Sequence, residues 1–438
     1  MELLACGHAA YEGPFRICLH LAVEESDDDV IRVYTGRGLA YDLLCATCAA
    51  LDDPGSQLAV VCEGCSERAE EQTATGVRGT PEVRRCDVPV GGAFHETPLA
   101  LDPANGRCLA PLPDGWLVYT TNALTVVRTD AATDVRADTT TVVRTDANHG
   151  LTDVRADAAT YELVLSDEEA PDSSVHGVYG PTVHASYDGR FAAVVTDHGQ
   201  YGAVVDLAAR GVVALRLDRG QGHNYTTPFP FTFAQDGTVI AATDWNRLDR
   251  FDAATGRLLT ERDTSWAKGE NYLDYFHGRL TVNRAGTWCV DDGWVWHPVG
   301  IPLMIDLAAW REGDRYAADR GRSLAQRDYA WNQPVAWVDD TTVAIQRIGD
   351  DDLAMVDGVQ LYDAPTARRV GVFAGPKGEM WSVDGRLAVA ADEGLEFWDP
   401  VDGIRTGLIP DYHPTAYNPH TRTFATLANG TLRTYRLP

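Results

Sequence analysis

Six of the nine cysteines in this 438-residue chain lie before residue 66, and most stand in short pairs. Cys45-Ala46-Thr47-Cys48 and Cys62-Glu63-Gly64-Cys65 are two CxxC knuckles, with 13 residues between them. Cys6-Gly7-His8 and Cys18-Leu19-His20 add two CxH pairs. A tetrahedral zinc ion takes four thiolate or imidazole donors at about 2.0–2.3 Å. Tight turns that each carry two donors supply them at small cost in chain entropy. The eight candidate ligands are therefore Cys6, His8, Cys18, His20, Cys45, Cys48, Cys62 and Cys65, enough for one or two zinc ions. Spacing leaves open the number of ions and whether the pairs combine sequentially or cross-braced. The N-terminus shows neither a basic n-region nor a long apolar segment, so a cytoplasmic address is expected. In a reducing compartment, clustered cysteines indicate metal rather than disulfides.

A second set of chemistry-bearing residues runs from Asn271 to His277 and from Asp291 to His297, with an acidic turn at Gly349-Asp350-Asp351-Asp352. Such acids, imidazoles and aromatic rings could bind a cation or a sugar, or supply an acid–base pair. The competing reading is structural: tryptophan and tyrosine fill sheet interfaces, and aspartate caps tight turns. No GxSxG elbow, HExxH helix or phosphate-cradling glycine loop occurs.

Charge narrows the partners. Lys plus Arg number 37 against 64 Asp plus Glu, a formal net charge of −27. Nucleic-acid binding draws its non-specific affinity from neutralised phosphates, so nucleic acid is not expected. Residues 1–86 alone carry 15 acidic and 7 basic side chains, which gives the expected zinc module a structural rather than a DNA-reading role. No stretch approaches the roughly 18–20 apolar residues of a membrane span.

The elements that position these residues change character near residue 90. Beyond it, short alternating apolar runs are punctuated by turns at Asp114-Gly115, Asp188-Gly189, Asp236-Gly237, Ala285-Gly286, Asp339-Asp340, Asp384-Gly385 and His420-Thr421. A second landmark, an apolar residue followed by aspartate and a small polar turn, recurs at Asp206, Asp252, Asp306, Asp363 and Asp399. Two landmarks repeating every 40–50 residues or so mark four-stranded propeller blades. Seven turns predict seven blades. The last blade lacks an outer strand, which residues 93–101 are expected to supply, closing the ring and removing an exposed edge. Residues 124–160 contain a tandem duplication, read as an extended hairpin or acidic loop off blade 1. Residues 66–86 read as a short helix or linker, and residues 308–320 as a short helix over the rim.

Residues 222–257 resemble one WD40 repeat: Gly222-His223 opens it, Asp236-Gly237 makes the turn, and Arg250-Phe251-Asp252 with Thr255-Gly256-Arg257 stands where that family has its Trp-Asp dipeptide and Thr-Gly-Lys turn. Trp398-Asp399 keeps the dipeptide itself. The two CxxC knuckles are similar to a zinc ribbon. The expected architecture is thus mainly β: a zinc-binding module and linker over residues 1–86, then a seven-bladed WD40-like β-propeller over 87–438. The resemblance implies a platform for other proteins, and the leading expectation is a cytoplasmic scaffold with a protein partner. The alternative is an enzyme, a lyase or hydrolase, with its site at the propeller mouth. Candidate binding-face residues are His184, Tyr225, Tyr272, Tyr275, His277, Trp296, Trp331, Trp381 and His413. They act either as exposed anchors or as wedges between blades.

Overall fold

Strand-forming segments of this chain are apolar on both faces at their centres, as in Phe191-Ala192-Ala193-Val194-Val195, where every residue is buried. A strand of that kind needs cover on both sides, and a ring of sheets provides it. The computed structural model describes the chain outside residues 1–14, 24–28, 38, 63, 67, 70–73, 100–107, 121–122, 130–134, 137–179, 210–211, 221–225 and 264–270. Seven antiparallel sheets follow one another in chain order. Blade 1 spans residues 109–136, blade 2 180–218, blade 3 231–252, blade 4 276–328, blade 5 335–374, blade 6 379–410 and blade 7 416–436. Among the described residues, blade 3 has three strands, extended by a single bridge between Phe251 and Leu258.

Each of the seven turn landmarks joins the first and second strands of one blade. The aspartate landmarks close the third strands, and their chemistry explains the repetition. The Asp206 carboxylate accepts from the Ala209 amide at 3.0 Å, Asp252 from Thr255 at 2.8 Å, Asp306 from Ala309 at 2.9 Å, Asp363 from Thr366 at 3.0 Å and Asp399 from Val401 at 2.8 Å. In each of blades 2 to 6 one carboxylate thus ties down the turn after the third strand. At Asp306 the turn instead opens the helix α3 (Leu307–Glu312), which Gly313 ends in the left-handed conformation. This is the short rim helix expected from the sequence.

Apolar clusters fill the spaces between successive blades, and Leu109, Trp116 and Val118 of blade 1 pack on Ala416, Ala425 and Leu432 of blade 7. The ring is therefore closed by packing as well as by pairing. Strand β7 (Ala93–Pro98) lies antiparallel to Thr431–Arg436, from Thr431 opposite Pro98 to Arg436 opposite Ala93. It is the outer strand blade 7 lacks. Just before it, β6 (Arg84–Arg85) runs parallel to the outer strand of blade 6. Arg405 anchors that contact through ion pairs of 2.7 Å to each of Asp87, Glu393 and Glu396.

The N-terminal residues form a separate five-stranded sheet in the order β4-β1-β3-β2-β5. Its strands are β1 (Phe15–Cys18), β2 (Val30–Arg37), β3 (Ala40–Cys45), β4 (Leu58–Val61) and β5 (Ala74–Arg78), with short helices α1 (Leu19–Val23) and α2 (Ala46–Ala49). Residues 74–78, read from sequence as part of a helix or linker, are an edge strand parallel to β2. Thr75 and Val77 suit a pleated edge better than a helix. Ile17, Val30, Leu43, Leu44 and Val61 form the module's core. The module rests on blade 5, where Arg32 reaches the Ala354 carbonyl at 3.5 Å and Asp350 at 3.4 Å.

Candidate metal centre and aromatic loop face

β1 and β3 are parallel neighbours, with Ile17 opposite Leu43. Their C-terminal ends therefore lie side by side, and each runs into a short helix. Cys18 ends β1 and His20 follows in α1; Cys45 ends β3 and Cys48 follows in α2. The four donor atoms of Cys18, His20, Cys45 and Cys48 all lie within 4.8 Å of one another. His20 Nδ1 is 3.2 Å from Cys48 Sγ and 3.7 Å from Cys45 Sγ, and the Cys45 amide donates to Cys18 Sγ at 3.3 Å. Donors bound to one tetrahedral zinc are themselves about 3.3–3.8 Å apart. Burial, together with Cys45 and Cys18 close by, pushes the Cys48 thiol up to about 12. A bound cation would offset that crowding of sulfurs, and three sulfurs with one imidazole are a donor set that can hold one metal ion.

Among the described residues, the second pair thus comes together with the third. Cys62 and Cys65 stand outside this group and are partly exposed. The Arg68 guanidinium donates to Cys65 Sγ at 2.9 Å, while burial and the adjacent Cys62 raise the Cys65 thiol. Cys6 and His8 lie outside the described residues. The parallel pairing of β1 with β3, which decides the grouping, leaves no mark in cysteine spacing.

The acidic and aromatic residues of blade 4 divide between interior and surface. His277 Nδ1 is 2.5 Å from Asp291 Oδ2, and the other Asp291 oxygen accepts from the Gly278 amide at 2.8 Å. Asp292 accepts from the Gln333 amide at 2.6 Å, and burial pushes its carboxyl up to about 7 against the pull of Arg327. The Tyr275 hydroxyl accepts from the Gly293 amide at 2.7 Å and donates to the Ile301 carbonyl at 2.8 Å. All of these side chains are buried. The cavity beside His277, lined also by Arg219, Thr227, Asp244, Trp245 and Phe276, measures about 10 Å³. That is room for about one water, and the His277–Asp291 contact joins the first and second strands of the blade.

The turns between second and third strands and the connections between blades share one face of the ring. The remaining candidates distribute around it. Tyr272 and Trp331 sit half-buried in the connections before blades 4 and 5, and Trp296 is exposed on the turn of blade 4. His413 is exposed before blade 7, with Nδ1 3.0 Å from the Ala391 carbonyl. His184 and Trp381 instead belong to first strands. His184 packs on Phe231 and Trp381 on Phe424, at 4.9 and 5.7 Å between ring centroids, each across a blade interface. Tyr225 lies outside the described residues.

Three aromatic residues outside the candidate binding-face set, Trp245, Phe276 and Trp294, complete a run on this face. Trp245 packs on Phe276 at 4.8 Å, Phe276 stacks on Trp294 at 4.4 Å, and Trp294 stacks on Trp331 at 5.1 Å and leans on Trp296 at 5.5 Å. Trp294 donates to Thr226 Oγ1 and Trp331 to the Thr226 carbonyl, both at 3.1 Å. Gly300 lets the Trp331 loop close in, because a Cβ there would meet the Ala330 carbonyl.

No protein family and no curated protein matches the chain. Among solved structures, a chain in the crystal structure of the mitotic checkpoint complex is similar to it with a TM-score of 0.50 and 14% identity, covering 82% of this chain and 96% of that chain. The likeness is one of fold, and the chain is a WD40-like seven-bladed β-propeller with a small N-terminal sheet. No helix among the described residues is long and apolar enough to cross a membrane.

Proposed function

We propose that this chain is a protein-binding scaffold of the reducing cytoplasm, built as a rigid propeller with a zinc-stabilised N-terminal module. The observation that carries the reading is the aromatic run on the loop face, which ends in Trp296, 56% exposed, beside Tyr329, 67% exposed. Large aromatic side chains held on a rigid frame bury much area at low entropic cost and are favoured anchors for protein partners. The fold likeness to a chain found within a multiprotein complex supports the same reading. Zinc is the metal that a Cys18, His20, Cys45, Cys48 donor set suits. A second ion would fall to Cys62 and Cys65 with Cys6 and His8. The test is affinity purification of the full chain from its native host, followed by mass spectrometry. A protein co-eluting in near-stoichiometric amount is expected; a chain that elutes alone under gentle cross-linking removes the scaffold reading.

A further inference from the structure

The exposed end of the aromatic run lies in an acidic setting. Trp296 stands on the turn Trp296-His297-Pro298, and the Tyr329 amide donates to the Pro298 carbonyl at 2.9 Å, which brings the two loops together; Trp294 contacts both Trp296 and Trp331. Tyr329 holds its exposed ring from a left-handed backbone at φ 56°. Along the aromatic run and its two loops, the carboxylates Asp244, Asp274 and Asp328 are exposed, as is Asp350, which Arg32 pairs with. At its Trp245 end, burial together with Asp274 and Asp244 raises the Tyr272 hydroxyl, which registers the local negative potential.

Among the described residues, three arginines of blades 2, 4 and 5 are turned inward or paired. Arg327 is fully buried and donates to the Gln346 carbonyl and to Gln360. Arg219 is buried against the carbonyls of Gly199, Thr227 and Pro228. Arg347 is tied to Asp352. Exposed indole and phenol faces ringed by carboxylates favour a cation over an anion or a neutral chain, because the ring quadrupole and the acids attract the same charge.

We propose that the Trp296–Tyr329–Trp331 patch on blades 4 and 5 docks an Arg- or Lys-bearing segment of a protein partner. The inference rests on the scaffold reading and gives that partner's chemistry. Cationic side chains of the segment lie over Trp296 and Tyr329, and Asp274 and Asp328 set its direction. The module beside the patch, seated on Asp350 through Arg32, borders the path of the segment.

Fluorescence polarisation with the full metal-loaded chain and a labelled peptide of about ten alternating Arg and Gly residues, at about 0.15 M salt, tests this. The Arg–Gly peptide should bind, and a matched Glu–Gly peptide should not. Trp296→Ala and Tyr329→Asn should each weaken binding about tenfold. Tyr329→Asn suits the left-handed backbone, so it keeps the test alive if Trp296→Ala disturbs packing. Asp402→Asn, an exposed charge on the opposite face, should leave binding unchanged. No binding, or binding indifferent to both aromatic variants, overturns the proposal. So does Trp296-dependent capture of cellohexaose in place of the cationic peptide, which would make the patch a sugar-stacking surface. The same variants separate this proposal from the scaffold reading. A co-purified protein that both variants still retain leaves the scaffold standing and removes this patch. A wild-type chain that co-purifies with nothing removes the scaffold itself.

Discussion

Buried charge decides the behaviour of two blades at the level of single residues. Arg262 is sealed between blade 3 and the segment after α3, at 2.5 Å from Asp249 and 2.6 Å from Asp319. Replacing Arg262 by Met leaves those carboxylates without their shared counter-charge, a loss expected to cost about 3–5 kcal/mol, read as a lower urea midpoint. Asp292 works in the opposite sense. Burial lifts its carboxyl to about 7, above the unfolded value, so the folded chain binds the extra proton between about pH 4 and 7. That stabilisation is fully present below pH 4 and is lost as pH rises through 7. In Asp292→Asn the loss should vanish. Its stability relative to wild type should therefore climb between pH 5 and 8, by about 3 kcal/mol at most. Parallel pH dependence of the two melting curves would exclude this role. The turn-capping aspartates were legible in the sequence because each acts within three residues of itself. The Arg262–Asp319 pair was not, since 57 residues separate the partners.

Elements repeat that distinction between local and distant. The seven first-to-second-strand turns were readable because a hairpin and its landmark are contiguous. The outer strand of blade 7 was readable from what its C-terminal end lacked. The pairing of β6 with blade 6 had no such signal: two arginines gain a strand partner only because the segment passes that edge on its way to β7. The path of the segment sets the outcome of truncation. Removing residues 1–79 keeps β6, Asp87 and β7, and should leave a soluble ring. Removing 1–86 strips β6 but keeps the Asp87 partner of Arg405, so a small loss in melting temperature is expected. Removing 1–103 takes away β7, bares the Thr431–Arg436 edge and should cause aggregation. Light scattering after purification distinguishes the three, and equal solubility of the last two would deny β7 its closing role.

The whole molecule joins a ring that its own packing sustains to a module that lacks that resource. Each blade is covered by two neighbours, whereas the sheet of residues 15–78 has one small core and meets blade 5 mainly through β5 and Arg32. Below roughly 70–80 residues a structural metal is one of the devices that supply what the core cannot, with about 10–16 kcal/mol of apparent binding free energy for structural zinc. Chelation should therefore act on one part only. Once the metal is withdrawn, the module is expected to unfold and release Arg32 from the Asp350 loop. The strap from Arg84 to Pro98 stays paired to blades 6 and 7, because nothing in those contacts involves the metal. Limited proteolysis of the chelated chain should trim it to a fragment beginning near residue 80 that keeps its β-sheet circular dichroism and a single thermal transition. Cys48→Ser should give the same fragment without chelator and should carry one metal equivalent fewer than wild type. A chelated chain as resistant to protease as the loaded one would mean that the sheet folds without metal, and the Cys18, His20, Cys45, Cys48 cluster would then have no structural part to play.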